Sequence, residues 1–158
     1  MYLISAIQDA LNNQHTNELR ANLAYIHLAN SMDALGFDGF AAWFDRAAAE
    51  ELTHAAKVRA YVRARGQAQV YAVQPISVEI KRPIEAFQAA LGLERENTDQ
   101  WQALAALARK VGDDATYGLI LWFLAEQVES ENTIAKIVQQ LTGADHGTLV
   151  LYDRQLGD

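Results

Sequence analysis

The chain has no cysteine and, in 158 residues, only two prolines, Pro75 and Pro83. Without thiols it can form neither a disulfide nor a thiolate metal site, so any bound metal must take oxygen or nitrogen ligands. With proline confined to one short stretch, the remainder is free to form long unbroken helices. Positive charge is also scarce: 13 Lys and Arg stand against 20 Asp and Glu, a formal net charge of -7. That balance disfavours nucleic acid and anionic membranes as partners and is compatible with attracting cations. No run approaches the ~20 apolar residues of a membrane span. The opening Met1-Tyr2-Leu3-Ile4-Ser5 has no basic region or long apolar core, so no secretory leader is expected and the location expected is cytoplasmic.

What is abundant is Ala, Leu, Glu and Gln, a helical composition, in a length that suits one domain over residues 1–158. Punctuation and period divide it into five segments. The first runs from about Ser5 to Leu35, stops at Gly36-Phe37-Asp38-Gly39, and spaces Leu11, Leu19, Leu23, Ile26 and Met32 roughly as a helix does. The second runs from about Phe40 to Arg65 and ends at Gly66. The third begins near Pro83 and ends at Gly112. Asp113 and Asp114 can cap a fourth, ending near Leu141, and Thr148 to Leu156 predicts a short fifth helix.

Helices this long indicate a bundle or a coiled coil. The first two and the last two long helices are joined by short turns and so form antiparallel hairpins. Between helices two and three, Gln67 to Pro83 is long enough to cross the whole bundle and set those two helices parallel. Val70, Tyr71, Val73, Ile76, Val78 and Ile80 alternate there as a strand would, but a lone strand has no partner, so an extended packed loop is expected. The fold class is therefore all-α: a four-helix bundle with one long crossover between helices two and three and a short fifth helix.

A repeat in spacing locates the chemistry. Glu51 follows Glu18 by 33 residues, and Gln127 follows Glu94 by 33. Tyr25 lies seven after Glu18 and Trp101 seven after Glu94; Glu50 precedes Glu51 and Glu126 precedes Gln127; His54 lies three after Glu51, where the second hairpin has Ser130. Measured from the turns at about 1.5 Å per residue, Glu18, Glu51 and His54 come within a turn or so of one level. Carboxylates facing a bundle core cost several kcal/mol each if unpaired, on the order of what a divalent cation can offset. Two glutamates on separate helices with Glu-x-x-His on another make an oxygen-rich site with one imidazole, suited to iron, manganese or zinc.

Each element has a plainer reading. Glu-x-x-His on a helix is more often a solvated surface pair, and Glu94 taken alone reads as exposed charge. Gln127 lies on the apolar seam of Ile120, Leu124, Ile134 and Leu141, which argues against a surface role. Tyr25 is ordinarily a core aromatic with its hydroxyl satisfied, or else bonds a ligand or donates an electron. Trp43, Phe44, Trp122 and Phe123 read as bundle packing. His15, His27 and His146 read as surface or structural, and nothing marks Met32 as a haem ligand. It is the agreement of four helices that favours a metal site.

At these residues the sequence resembles the ferritin family over nearly its whole length. The segments that carry the resemblance are Glu18-Leu19-Arg20-Ala21-Asn22-Leu23-Ala24-Tyr25, Gly39-Phe40-Ala41-Ala42-Trp43-Phe44, Glu50-Glu51-Leu52-Thr53-His54-Ala55, Leu93-Glu94, Glu126-Gln127-Val128-Glu129 and the closing Leu151-Tyr152-Asp153-Arg154-Gln155-Leu156-Gly157, which looks like the last helix of the non-haem bacterial type. The resemblance implies an iron-storing subunit with ferroxidase activity, oxidising Fe(II) with dioxygen or peroxide at a di-iron centre and mineralising it in a homo-oligomeric, 24-subunit cage. It implies that Glu18, Glu51 and His54 hold a first iron, that Glu51 bridges to a second bound by Glu94, and that Gln127 bonds water or dioxygen there, with Tyr25 beside the centre. Glu50, Glu126 and Glu129 match a third iron site.

Ser130 departs from the glutamate many bacterial ferritins carry as a second-site ligand, so a weaker or more labile second iron is expected; Glu131, one residue on, is a less suitable substitute. Gln127 and Ser130 also replace the second Glu-x-x-His of bacterioferritins and rubrerythrins, so no haem is expected. Mini-ferritins that protect DNA use ligands between subunits and often a basic tail, and neither is visible. The competing functions are a structural shell subunit with a weak site, and a di-iron oxidase of an organic substrate.

Overall fold

A computed structural model of the chain describes residues 2–74 and 76–158; Met1, and Pro75 within the crossover, lie outside the described residues. Five helices follow one another: α1 Ser5–Ala34, α2 Asp38–Arg65, α3 Pro83–Val111, α4 Asp114–Leu141 and α5 His146–Gly157. The ends are set by local chemistry. Pro83 opens α3 behind a reciprocal cap between Arg82 and Glu85, and Gly112 closes it at φ 71°, a left-handed conformation that glycine adopts without a Cβ clash. Asp113 caps α4 by accepting from the Thr116 N–H at 3.0 Å, and its carboxylate is also paired with Arg65 at 3.0 Å, tying the end of α2 to the start of α4.

α1 packs chiefly on α2, and α3 on α4. The Leu3 N–H bonds the Arg65 carbonyl at 2.9 Å, which places the end of α2 beside the start of α1. From there the crossover runs along α1. Asn12 receives the Gln69 N–H and donates to the Gln67 carbonyl, His15 meets the Gln69 carbonyl, Thr16 receives the Tyr71 N–H, and His27 reaches the Val78 carbonyl. The expected extended loop is thus present, with no strand assigned to its described residues. His15 and His27 are structural, as read. The loop delivers the chain to the far end of the bundle, so α3 runs parallel to α2.

The interior has two apolar regions. One holds Leu28, Met32, Phe40, Phe44, Phe87, Ile134 and Leu141. The other holds Ile7, Leu11, Val58, Val62, Trp101, Ile120 and Phe123. Between them lies a buried polar band of Glu18, Asn22, Glu51, His54, Glu94, Asn97 and Gln127. Two positions from the first helix's apolar series behave otherwise: Leu23 and Ile26 are 49% and 40% exposed, because Asn22, Tyr25 and Ala29 take the inward face of α1 there.

The fifth helix starts at His146, two residues ahead of the expected Thr148, because Asp145 caps it through the Thr148 N–H at 2.8 Å. It lies on α2. Asp153 Oδ1 accepts the Phe40 N–H at 2.7 Å, and Arg46 donates to the Leu156 carbonyl. A Cβ on Gly39 would fall 1.7 Å from the Asp153 carbonyl oxygen. Gly39 is therefore not part of the turn, as its sequence context implied, but a contact surface inside a helix that begins at Asp38 rather than Phe40.

Candidate metal centre

Every long helix contributes to the polar band. Glu18 projects from α1, Glu51 and His54 from successive turns of α2, Glu94 from α3 and Gln127 from α4. All five are buried, Glu18 completely. One ligand atom from each of Glu18, Glu51 and His54 falls within 4.8 Å of the others. His54 Nδ1 lies 3.3 Å from Glu51 Oε2 and 3.9 Å from Glu18 Oε2. Its other nitrogen, Nε2, faces Glu126 Oε2 at 3.8 Å, and Glu50, His54 and Glu126 form a second, more open group. Phe123 and Trp122 meet the imidazole edge-on and fix its plane.

The hydrogen bonds cross between hairpins. Tyr25 on α1 donates to Glu94 Oε1 on α3, and Trp101 Nε1 on α3 donates to Glu18 Oε1 on α1 at 3.2 Å. Gln127 Nε2 donates to Glu94 Oε2 at 2.9 Å. Asn97 connects the two halves, donating to Glu18 Oε1 at 3.3 Å and to Gln127 Oε1 at 3.4 Å. Gln14 completes the network by donating to Asn97 and, at 3.4 Å, to Glu18 Oε1.

Burial of so many carboxyls raises their proton affinity. Burial, and then the adjacent Glu51, hold Glu18 well above the ordinary carboxyl range, against the opposing influence of His54 and Asn97. Burial pushes Glu51 up to about 8, with Glu94 and Glu50 adding to the rise while Glu18 offsets part of it. Glu94 is raised by burial and partly brought back by the Tyr25 and Gln127 hydrogen bonds. Burial, and then the charges of Glu94 and Glu51, raise Tyr25, which keeps its phenol protonated and a donor. Like charges this close in a low-dielectric interior need either protons or a cation. Glu18 Oε2 is buried on the side facing His54 and receives no nitrogen or hydroxyl donor from the described residues, so a proton held with the neighbouring Glu51 carboxyl is what a cation would replace. An orphaned carboxylate oxygen beside an imidazole and a second carboxylate fits a metal ion, and the oxygen-rich donor set suits iron.

Beside this cluster opens a cavity of about 470 Å³. Glu50, Glu51, Glu94, Glu126 and Glu129 line it, together with Tyr25 and Ser130. The wall is therefore rich in carboxylates and suited to cations. Ser130 faces the cavity where a longer ligand would project. Glu131 is turned aside: Thr98 donates to it and Arg95 lies 3.9 Å from it, so it is engaged on α3.

A family model of the ferritin-like domain matches residues 8–144. The chain belongs to the ferritin family. It is 37% identical over 150 residues to a bacterial non-heme ferritin of Staphylococcus epidermidis, covering 93% of this chain and 90% of that protein. A bacterial non-heme ferritin of Staphylococcus aureus is 36% identical over 152 residues, covering 94% and 92%. Among solved structures, the open pore ferritin of the hyperthermophilic archaeon Archaeoglobus fulgidus superposes with a TM-score of 0.95 at 32% identity, covering 98% of each chain. The all-α ferritin fold implied by the resemblance is thereby established.

Within this ferritin bundle, the residues singled out by sequence gather in the polar band and the cavity beside it. Glu18, Glu51, His54, Glu94, Gln127 and Tyr25 form the inner cluster, while Glu50, Glu126 and Glu129 gather on the cavity wall. Met32 is wholly buried among apolar side chains. Sequence reasoning missed Asn97, Gln14 and the donor role of Trp101. The repeat that pairs Trp101 with Tyr25 was the available clue to the last of these. Buried amides carry no comparable spacing signature. No helix among the described residues is long and apolar enough to cross a membrane.

Proposed function

We propose that the chain is an iron-storage subunit that oxidises Fe(II) at the buried cluster. The observation that carries this reading is the orphaned Glu18 Oε2, in reach of Glu51 and His54 at the centre of four helices. In the proposed assignment Glu18, Glu51 and His54 Nδ1 hold the first Fe(II). Glu51 also reaches the second, held with Glu94, and Gln127 orients water or dioxygen beside it. Two Fe(II) ions give up one electron each, and dioxygen accepts the pair and leaves with two protons as hydrogen peroxide. Release of protons from Glu51 and Glu18 on loading leaves their negative charge to stabilise the ferric product. Hydrolysed iron then moves along the carboxylate wall of Glu50, Glu126 and Glu129, the proposed third site, toward a storage cavity.

That cavity requires a cage, and a homo-oligomer of 24 subunits is proposed by kinship with ferritins. Exposed Leu23, Ile26, Val128 and Leu151 support the reading, since neighbouring copies can cover them. An organic substrate is disfavoured by the acidic wall of the adjacent cavity, and a weak shell subunit by the presence together of Glu18, Glu51, His54 and Glu94.

Anaerobic loading with two Fe(II) per subunit, followed by air, tests the proposal. A rapid rise of di-ferric absorbance is expected. Absence of a fast phase, with the cage intact, would leave only a structural shell.

A further inference from the structure

Resting on the assignment of Glu18 as a metal ligand, we propose that Trp101, with Asn97 and Gln14, is a positioning device that leaves Glu18 a single oxygen for the metal. Glu18 Oε1 accepts from Trp101 Nε1 at 3.2 Å, Asn97 Nδ2 at 3.3 Å and Gln14 Nε2 at 3.4 Å. Its sister oxygen, Oε2, receives no nitrogen or hydroxyl donor from the described residues and faces His54 Nδ1 at 3.9 Å. The carboxylate is thus divided into one oxygen held by the protein and one left for an ion.

Trp101 is the rigid member of this cradle. An indole can donate but not accept, so it cannot reverse its role as Asn97 or Gln14 can by turning over. The ring is fully buried and stacked on Phe123, with centroids 4.1 Å apart and planes within 11° of parallel. Phe123 in turn meets His54 edge-on at 5.8 Å. One stacked pair therefore orients both the Glu18 carboxylate and the imidazole opposite it.

Glu94 is held differently. Both of its oxygens receive protein donors, Tyr25 on Oε1 and Gln127 on Oε2. A metal arriving at Glu94 must compete with existing hydrogen bonds, whereas one arriving at Glu18 meets a vacant oxygen aimed at it. The cradle makes the first seat the pre-organised one. By denying it a second Glu18 oxygen, it also keeps a coordination position for water or oxidant.

Aerobic titration of the assembled protein with Co(II), whose visible absorption weakens per ion as its coordination number rises, tests this directly. Glu18→Gln in parallel identifies the first-seat band. Trp101→Phe keeps a ring against Phe123 and removes only the donor. Freed from it, Glu18 should bring its second oxygen onto the metal, so the first-seat band should weaken per bound ion and affinity should drop by about tenfold. Asn97→Leu removes a second donor from the same oxygen and should shift the band in the same direction, should Trp101→Phe fail to assemble. A first-seat band of unchanged intensity per ion in these variants would overturn the proposal whatever happens to affinity, because loss of packing alone does not alter coordination. Wild-type protein with no Glu18-dependent Co(II) band would instead remove the metal-site reading itself, and this inference with it.

Discussion

The Tyr25 hydroxyl donates to Glu94, the carboxylate on the opposite hairpin, rather than to Glu18 on its own helix. Trp101 returns the relationship by donating to Glu18. The spacing repeat between the two hairpins therefore has a spatial counterpart: each hairpin supplies a carboxylate to the centre and an aromatic donor to the other's carboxylate. Removal of the Tyr25 donor by Tyr25→Phe leaves Glu94 Oε1 unpaired in a buried site. The second metal should bind about tenfold more weakly, with the first little changed. Stepwise Fe(II) titration by calorimetry under anaerobic conditions separates the two seats.

The carboxyl cluster predicts an unusual pH dependence for the metal-free protein. Glu51 has a folded pKa of about 8 against an ordinary 4.5, so between these values the folded chain holds a proton that the unfolded chain has released. Its contribution to stability is therefore greatest below about 4.5 and declines as pH rises toward 8. Glu18 and Glu94, also raised by burial, act in the same direction. Divalent metal reverses the trend by replacing the protons. Thermal unfolding of metal-free protein across this window, with and without Zn(II), should give slopes of opposite sign, with proton release accompanying metal uptake.

Ser130 offers the cavity no carboxylate, and Glu131 is held by Thr98. Ser130→Glu should tighten the second seat and slow the release of its iron. Equal Fe(II) affinities of the two seats in the wild-type protein would contradict the idea that serine weakens one of them.

Helices and topology were legible in the sequence because Gly36, Gly66, Pro83 and Gly112 punctuate long periodic segments, and because the link between helices two and three is long enough to span the bundle while the other links are short. The inner cluster was legible because helical rise converts distance from a turn into height. What escaped was chemistry without a period. Asn97 and Gln14 are amides whose burial depends on how α1 and α3 approach one another, and no spacing rule encodes that contact. Gly39 read as part of a turn because its packing partner, Asp153, lies more than a hundred residues away.

That contact predicts a second kind of variant. Asp153→Ala removes the acceptor for the Phe40 N–H and should cost about 1 kcal/mol, as loss of a helix N-cap does. Gly39→Ala should cost more, because its Cβ cannot fit against the Asp153 backbone and α5 must move away. Thermal unfolding should rank the two in that order, while Fe(II) oxidation by the assembled protein stays close to wild type.

Glu51 is the residue through which the proposed seats communicate, lying with Glu18 and His54 on one side and on the cavity wall with Glu94 on the other. Stopped-flow Fe(II) oxidation by wild-type protein and Glu51→Ala, each first shown to be assembled, is the most direct measurement. Loss of the fast phase in Glu51→Ala is predicted; a fast phase of undiminished rate and amplitude would contradict oxidation at this cluster.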